Sequence, residues 1–176
     1  GIDYDADAMQ SAREGLEPRP GSGAAIRRGI AETSSDLICV MEPDGTFDPN
    51  DLWKLLAYVR DFDFVFGSRT VPALIWSGAN MGRFLRWGNW AVAKLIEVTF
   101  NTSSLSYVGC TMRLVSGPAA RDLLPHYTID GGEFGPEMML LAIIGPWRTI
   151  QLPLNYRERH GHAGTTERIL PAFGIV

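Results

Sequence analysis

Cysteine is scarce in this chain: 176 residues contain two, Cys39 and Cys110. Two cysteines build no disulfide framework, and a reducing, cytosolic setting is expected. Long apolar runs are missing as well. No stretch approaches the ~20 apolar residues of a membrane-spanning helix. The opening, Gly1-Ile2-Asp3-Tyr4-Asp5, has neither an initiator Met nor the pattern of a signal peptide, and the first 20 residues are polar. The chain is therefore expected to begin inside a longer natural one. Internal repeats and low-complexity segments are absent, and so is any excess of positive charge. A net charge of −4 argues against a general nucleic-acid binder. What remains is ordinary for a globular protein, with 45% hydrophobic and 20% charged residues. The length suits one domain over 1–176 with a real core.

The most informative stretch is Asp36-Leu-Ile-Cys-Val-Met-Glu42-Pro-Asp44-Gly-Thr46-Phe-Asp48-Pro49. The apolar run Leu37–Met41, bounded by polar and turn residues, predicts a buried strand, with Cys39 inside it. Pro43 fixes its own φ and holds Glu42 extended, and Gly45 permits the turn that follows. Ligands of open α/β sheets bind beyond the carboxyl ends of the strands. Two carboxylates placed there form a hard-oxygen site suited to Mg²⁺ or Mn²⁺, ions that complete their shell with substrate phosphate. The plain alternative is a solvated acidic turn.

Around this stretch, residues 5–15 read as a short helix. Glu17-Pro-Arg-Pro20-Gly-Ser-Gly23 reads as a loop, and 24–33 as a helix. A Gly-rich loop opening a helix is a potential anion site, but without a lysine in the loop a plain cap is preferred. Asn50 or Asp51 is expected to cap a helix carrying Leu52, Leu55, Leu56 and Val59. Phe62–Phe66 is a second strand, ending at Gly67-Ser68-Arg69. This alternation is the grammar of a parallel α/β sheet.

Arg83, Arg86, Trp87, Trp90 and Lys94 fall at i, i+3, i+4, i+7 and i+11 and share one helix face. Aromatic rings beside cations suit a headgroup-level surface and phosphates. A core helix with buried Trp residues is the competing reading. Further on, 105–115 is a loop leading into a strand, and Ser116-Gly-Pro118 starts a helix. Gly131–Glu137 precedes a Met- and Leu-rich helix, and 147–154 is a strand. Tyr156-Arg157-Glu-Arg159-His160-Gly-His162 is a loop better suited to phosphate than to zinc. His126 reads as a surface residue.

Five stretches, taken together, resemble the family-2 glycosyltransferases of the GT-A fold, most of all the polyprenyl-phosphate sugar transferases related to dolichyl-phosphate mannosyltransferase. They are 18–25 (Pro-Arg-Pro-Gly-Ser-Gly-Ala-Ala), 40–49 (Val-Met-Glu-Pro-Asp-Gly-Thr-Phe-Asp-Pro), 66–69 (Phe-Gly-Ser-Arg), 109–113 (Gly-Cys-Thr-Met-Arg), and 134–137 with 152–161. The resemblance implies a mixed, mostly parallel α/β sheet flanked by helices, with the family's first strands ahead of residue 1. Two further departures stand out. Glu42-Pro43-Asp44 replaces the usual Asp-x-Asp, and Tyr107 stands where the family usually has an aspartate.

The resemblance further implies an inverting sugar transfer from a nucleotide-diphosphate donor to a polyprenyl phosphate. Mg²⁺ or Mn²⁺ would be held by Asp44 with Glu42, and Thr46 beside them. Gly21, Gly23, Glu42, Arg157 and Arg159 are the expected donor and diphosphate residues. Arg69, Arg83, Arg86 and Arg113 are those for the acceptor phosphate. A phosphate is already ionised near neutral pH and needs little from a general base; for a hydroxyl acceptor Glu137 is the expected base. The protein would sit peripherally on the cytoplasmic face of a membrane. A sugar-1-phosphate nucleotidyltransferase and a non-catalytic nucleotide-sugar-binding domain are the alternatives.

Overall fold

The computed structural model describes residues 21–42, 44–75 and 83–157. The elements, in chain order, are α1 (Ser22–Glu32), β1 (Leu37–Val40), α2 (Leu52–Tyr58), β2 (Phe64–Ser68), α3 (Arg83–Phe100), β3 (Arg113–Ser116), α4 (Gly117–Leu123), α5 (Phe134–Ile144) and β4 (Thr149–Pro153). Short 3₁₀ turns at Pro49–Asp51, Pro72–Leu74 and Leu124–His126 complete them. The helix expected over 5–15 lies outside the described residues.

The four strands lie in the order β1-β3-β2-β4. β3 is antiparallel to both β1 and β2, and β2 is parallel to β4. Three strands therefore run one way and β3 runs against them. The local helix–strand alternation was right about β1 and β2, which share a direction, but β3 slots between them in reverse.

The alternation of β2 divides the core. Phe64 pairs with Val115 and faces the first cluster, where Ile30, Ala93, Ala119, Phe134, Met138 and Ala142 arrive from α1, α3, α4 and α5. Val65 pairs with Leu114 on the other face, against Leu55 of α2, Met112, Leu152 and Leu154. All five residues of β2 are buried. Such burial on both faces reads in sequence as a short continuous apolar run.

β1 corrects the sequence reading. It pairs only with β3 among the described residues, and its side chains alternate between exposed and half-buried. Cys39 is a free, exposed thiol, not a buried one. A run of apolar residues looks the same on an inner strand and on an outer one, because pairing partners are set by topology. The helix cap also moves. Oδ1 of Asp48 accepts from the Asn50 amide at 3.0 Å, whereas buried Asp51 takes other partners. The start of α4 is as expected: Pro118 lies in its first turn and Ser116 Oγ accepts from the Ala119 amide.

Candidate active site

Four connections meet at one end of the sheet: those leaving β1, β2 and β4 and the one entering β3. Because β3 is reversed, its entry lies beside the exits of its neighbours. Gly67 lets them close up: a Cβ there would lie 2.4 Å from Cδ1 of Leu154 and 2.8 Å from both Sγ of Cys110 and the Met112 carbonyl.

The exit of β1 carries the acidic turn. Oδ1 of Asp44 accepts from the Thr46 amide at 3.1 Å and from its hydroxyl at 2.6 Å. Thr46 is fully buried, so this orientation is fixed. Glu42 is half-buried, and its charge reaches Cys110 and Arg113. The chain leaving β4 locks onto the same turn. Phe47 and Tyr156 form a bridge, and the Arg157 amide donates to the Thr46 carbonyl at 2.9 Å. The Arg157 guanidinium donates to Asp48. Asp51 receives Asn155 Nδ2 at 2.8 Å and Lys54 Nζ at 2.6 Å.

The exit of β2 carries Arg69. Its guanidinium carbon lies 4.8 Å from the ring centre of Tyr156, 5.2 Å from that of Tyr107 and 5.9 Å from that of Phe47. Nη2 donates to the Gly109 carbonyl at 2.9 Å, while Nε is buried without a hydrogen-bond partner. Burial opposes the charge of Arg69, but Tyr107, Cys110 and Tyr156 outweigh it and the pKa is raised. Tyr107 is buried; desolvation pushes its phenol up, and Arg69 pulls only partly against that. Gln151 of β4 sets this loop. Its Oε1 accepts from the amides of Ser106 and Tyr107, and its Nε2 donates to the carbonyls of Gly67 and Tyr107.

Several expected site residues have other employment. The guanidinium of Arg113 is buried and donates to the carbonyls of Thr111, Gly135 and Cys110, at 3.2, 2.9 and 2.6 Å. It braces the β3 entry against α5. The carboxylate of Glu137 accepts from the Thr128 amide and hydroxyl and from the Ile129 amide, which ties down that loop. Gly21 and Gly23 serve packing. A Cβ on Gly21 would lie 2.0 Å from the Asp130 carbonyl oxygen, and one on Gly23 2.7 Å from Cβ of Phe134. The Ala24 amide at the start of α1 donates to that Asp130 carbonyl, so this donor is already engaged. Arg83 and Arg86 open α3; their side chains lie outside the described set, as does Arg159 altogether. Thr46 donates its proton to Asp44 and so orients that carboxylate. Phe47, Gln151 and Tyr156 were missed from sequence, because apolar and amide residues carry no charge pattern.

The family model for glycosyl transferase family 2 matches residues 16–117, more than half of the chain. The chain belongs to that family. Among relatives of this glycosyltransferase are uncharacterized glycosyltransferases of Mycobacterium tuberculosis and Mycobacterium bovis, each 28% identical over 165 residues, 89% of this chain and 71% of theirs. Solved structures of similar fold include glucosyl-3-phosphoglycerate synthase from M. tuberculosis. Its complex with Mn²⁺, UDP and glucosyl-3-phosphoglycerate has a TM-score of 0.58 and 15% identity over 92% of this chain and 54% of that one. The complex with Mn²⁺, UDP-glucose and phosphoglyceric acid has a TM-score of 0.61 and 16% identity over 96% and 60%. The chain thus spans somewhat over half the length of these synthase chains. The GT-A fold expected from sequence is what these comparisons show.

Proposed function

We propose that this chain carries the catalytic centre of an inverting, metal-dependent glycosyltransferase that moves a sugar from a nucleotide diphosphate to a polyprenyl phosphate, at the cytoplasmic face of a membrane. The observation that carries this reading is the meeting of the acidic turn with Arg69. Phe47, next to Thr46, is one of the three rings around that guanidinium.

The donor set fits Mg²⁺ or Mn²⁺. Glu42 and Asp44 offer carboxylate oxygens, and Thr46 holds one of them in place. Among the described residues there is no cluster of three metal-ligating side chains; a pair suffices for an ion that keeps substrate phosphates in its shell. When bound, the ion would neutralise charge growing on the leaving diphosphate. Arg157, half-exposed and paired with Asp48, would meet the donor diphosphate, with Arg159 following it in the chain. Arg69 would hold the acceptor phosphate, with Arg83 and Arg86 near the membrane. An oxygen of that phosphate attacks the anomeric carbon as the bond from carbon to the diphosphate oxygen breaks. The electron pair leaves with the nucleoside diphosphate. A fully ionised phosphate gives up no proton, so the engagement of Glu137 elsewhere is no obstacle.

A soluble phosphorylated acceptor is the second reading, since the mycobacterial synthase was crystallised with phosphoglyceric acid; Arg69 suits either phosphate. The test is transfer by the natural full-length protein from a nucleotide-sugar panel to vesicle-borne polyprenyl phosphate or to phosphoglyceric acid, with and without Mn²⁺. Metal-dependent transfer that Asp44→Ala abolishes is expected. Transfer that survives chelation, or that Asp44→Ala leaves unchanged, overturns the assignment.

A further inference from the structure

We infer that Gln151 is the positioning residue for Arg69: one side chain fixes the backbone before Arg69, the hydroxyls on both sides of it, and the loop whose carbonyl holds its guanidinium. The inference rests on the proposed function and deepens it, by naming what places the acceptor-phosphate cation. Gln151 lies opposite Phe66 in the parallel pairing of β4 with β2. Its Nε2 donates to the carbonyls of Gly67 at 3.2 Å and Tyr107 at 2.6 Å. Its Oε1 accepts from the amides of Ser106 at 2.7 Å and Tyr107 at 3.2 Å, and from the Ser106 hydroxyl at 3.1 Å. Carbonyls only accept and amides only donate, so the orientation of this side-chain amide is forced.

That orientation passes along a chain of hydroxyls. Oε1 can only accept, so Ser106 gives it the hydroxyl proton. Ser68, 2.7 Å from Ser106, must then donate to Ser106, and Thr70, 3.0 Å from Ser68, must donate to Ser68. Ser68 is buried. The residues on either side of Arg69 are thereby tied to Gln151. The third attachment is Gly109, two residues beyond the Tyr107 backbone that Gln151 holds. Its carbonyl takes Nη2 of Arg69 at 2.9 Å. The loop has no slack there: a Cβ on Gly109 would lie 2.9 Å from Oδ1 of Asn89 and 3.1 Å from the Tyr107 hydroxyl. The aromatic cage of Phe47, Tyr107 and Tyr156 attracts the cation without a directed bond; Gly109 supplies one. Nε, buried without a hydrogen-bond partner, adds none.

The test follows Arg69 itself. The natural full-length protein carries ¹⁵N-labelled arginine, and the Arg69 Nε–H signal is identified by its loss in Arg69→Lys. That proton is buried and should exchange slowly with solvent. Gln151→Met keeps the length and removes every bond. Exchange at Arg69 should then quicken about tenfold or more. Calorimetric affinity for inorganic phosphate should fall about tenfold, since misplacing a binding group by about 1 Å is that costly. Ile30→Val trims the core on the far side of α1 and is the control; it lowers stability yet should leave both readouts within about twofold. A Gln151→Met protein whose Arg69 signal matches wild type overturns the inference, as does an Ile30→Val protein that disturbs the signal equally. If Gln151→Met does not fold, Ser106→Ala decides, because it keeps the backbone bonds and removes the hydroxyl link. Arg69 exchange should then quicken about threefold; unchanged exchange overturns the inference. A wild type that binds no phosphate at millimolar concentration, with Arg69 loosened by Gln151→Met, supports the role of Gln151 and defeats the acceptor role of Arg69 alone.

Discussion

The hydroxyl of Thr46 donates to Oδ1 of Asp44 over 2.6 Å, and the Thr46 amide donates to the same oxygen at 3.1 Å. A residue with no exposed surface thereby aims a half-buried carboxylate. Groups that orient a metal-binding carboxylate affect affinity nearly as much as the ligands themselves.

Thr46→Val keeps the shape and removes the hydroxyl. Mn²⁺ affinity in the presence of a nucleoside diphosphate should fall by about 10-fold or more. Stability should change by no more than about 1–2 kcal/mol, the range for one lost hydrogen bond. Calorimetric titration with a parallel melt checks both. An unchanged Mn²⁺ affinity would mean that Asp44 needs no such support.

Gly67→Ala should destabilise the fold by about 3 kcal/mol, toward the upper end for overpacking. The added methyl would meet the Met112 backbone carbonyl at 2.8 Å as well as two side chains, and backbone does not move aside cheaply. Gly29→Ala is the control, because a Cβ there meets nothing within 4 Å; Ala in a helix is also favoured over Gly. Denaturant midpoints of the two variants should therefore move in opposite directions.

Tyr127 gives a pH-dependent prediction. Its hydroxyl is buried without a hydrogen-bond partner, and burial pushes its pKa far above the ordinary 10.0. A pKa raised in the folded state means stability that is present below the unfolded value and lost as pH climbs past about 10. Cys110 and Tyr107, also raised by burial, act in the same sense from about 9 and 10. Tyr127→Phe removes one of these protons along with an unsatisfied hydroxyl. It should be neutral or stabilising by about 1 kcal/mol at pH 7. Its advantage over wild type should widen as pH rises above 10. A melt series from pH 7 to 11 that runs parallel for the two proteins would contradict this.

These expectations show what the chain makes legible. Local signals were sufficient where chemistry and backbone coincide, as with Ser116 and Pro118 at the start of α4. They failed where a residue's partner comes from far along the chain. Arg113 reads as a phosphate ligand until the carbonyl of Gly135 takes it, 22 residues away in sequence. Glu137 reads as a base until the 128–129 loop does the same. Gly21 and Gly23 look like an anion loop, yet their lack of Cβ is used by the Asp130 backbone and Phe134. The Arg69 cage draws on Phe47, Tyr107 and Tyr156, which no spacing rule connects. Cys39 is exposed because β1 pairs with β3 alone among the described residues, a neighbour count that apolar content does not encode.

The last prediction concerns α3. Its outer side exposes Trp87 (66%), Trp90 (45%), Leu95 (66%) and Val98 (80%), while Ala93 is turned into the core. The alternative in which both Trp residues pack inside is thus excluded for these two. No helix among the described residues is long and apolar enough to cross a membrane, so contact through this face would be peripheral. Indole rings and aliphatic side chains on one helix side can enter the headgroup boundary reversibly. The electrostatic part is smaller than the count of cations suggests, because Lys94 is paired with Glu97 at 2.6 Å. The helix also carries Arg83 and Arg86 in its first turn; a cation near an anionic surface contributes on the order of 1 kcal/mol. Co-sedimentation with anionic vesicles should therefore fall with added salt without vanishing, since screening removes only the charge term. Replacing Trp87 and Trp90 together with Ala should abolish most binding. It should move the melting temperature little, because substitutions at exposed positions usually change stability by about 0.5 kcal/mol or less. Charge reversal at Arg83 and Arg86 should weaken binding and steepen no other property. Vesicle binding that ignores the Trp pair, or a collapse of the melt on replacing it, would show that α3 faces protein and not lipid, and the polyprenyl-phosphate acceptor would lose its structural support.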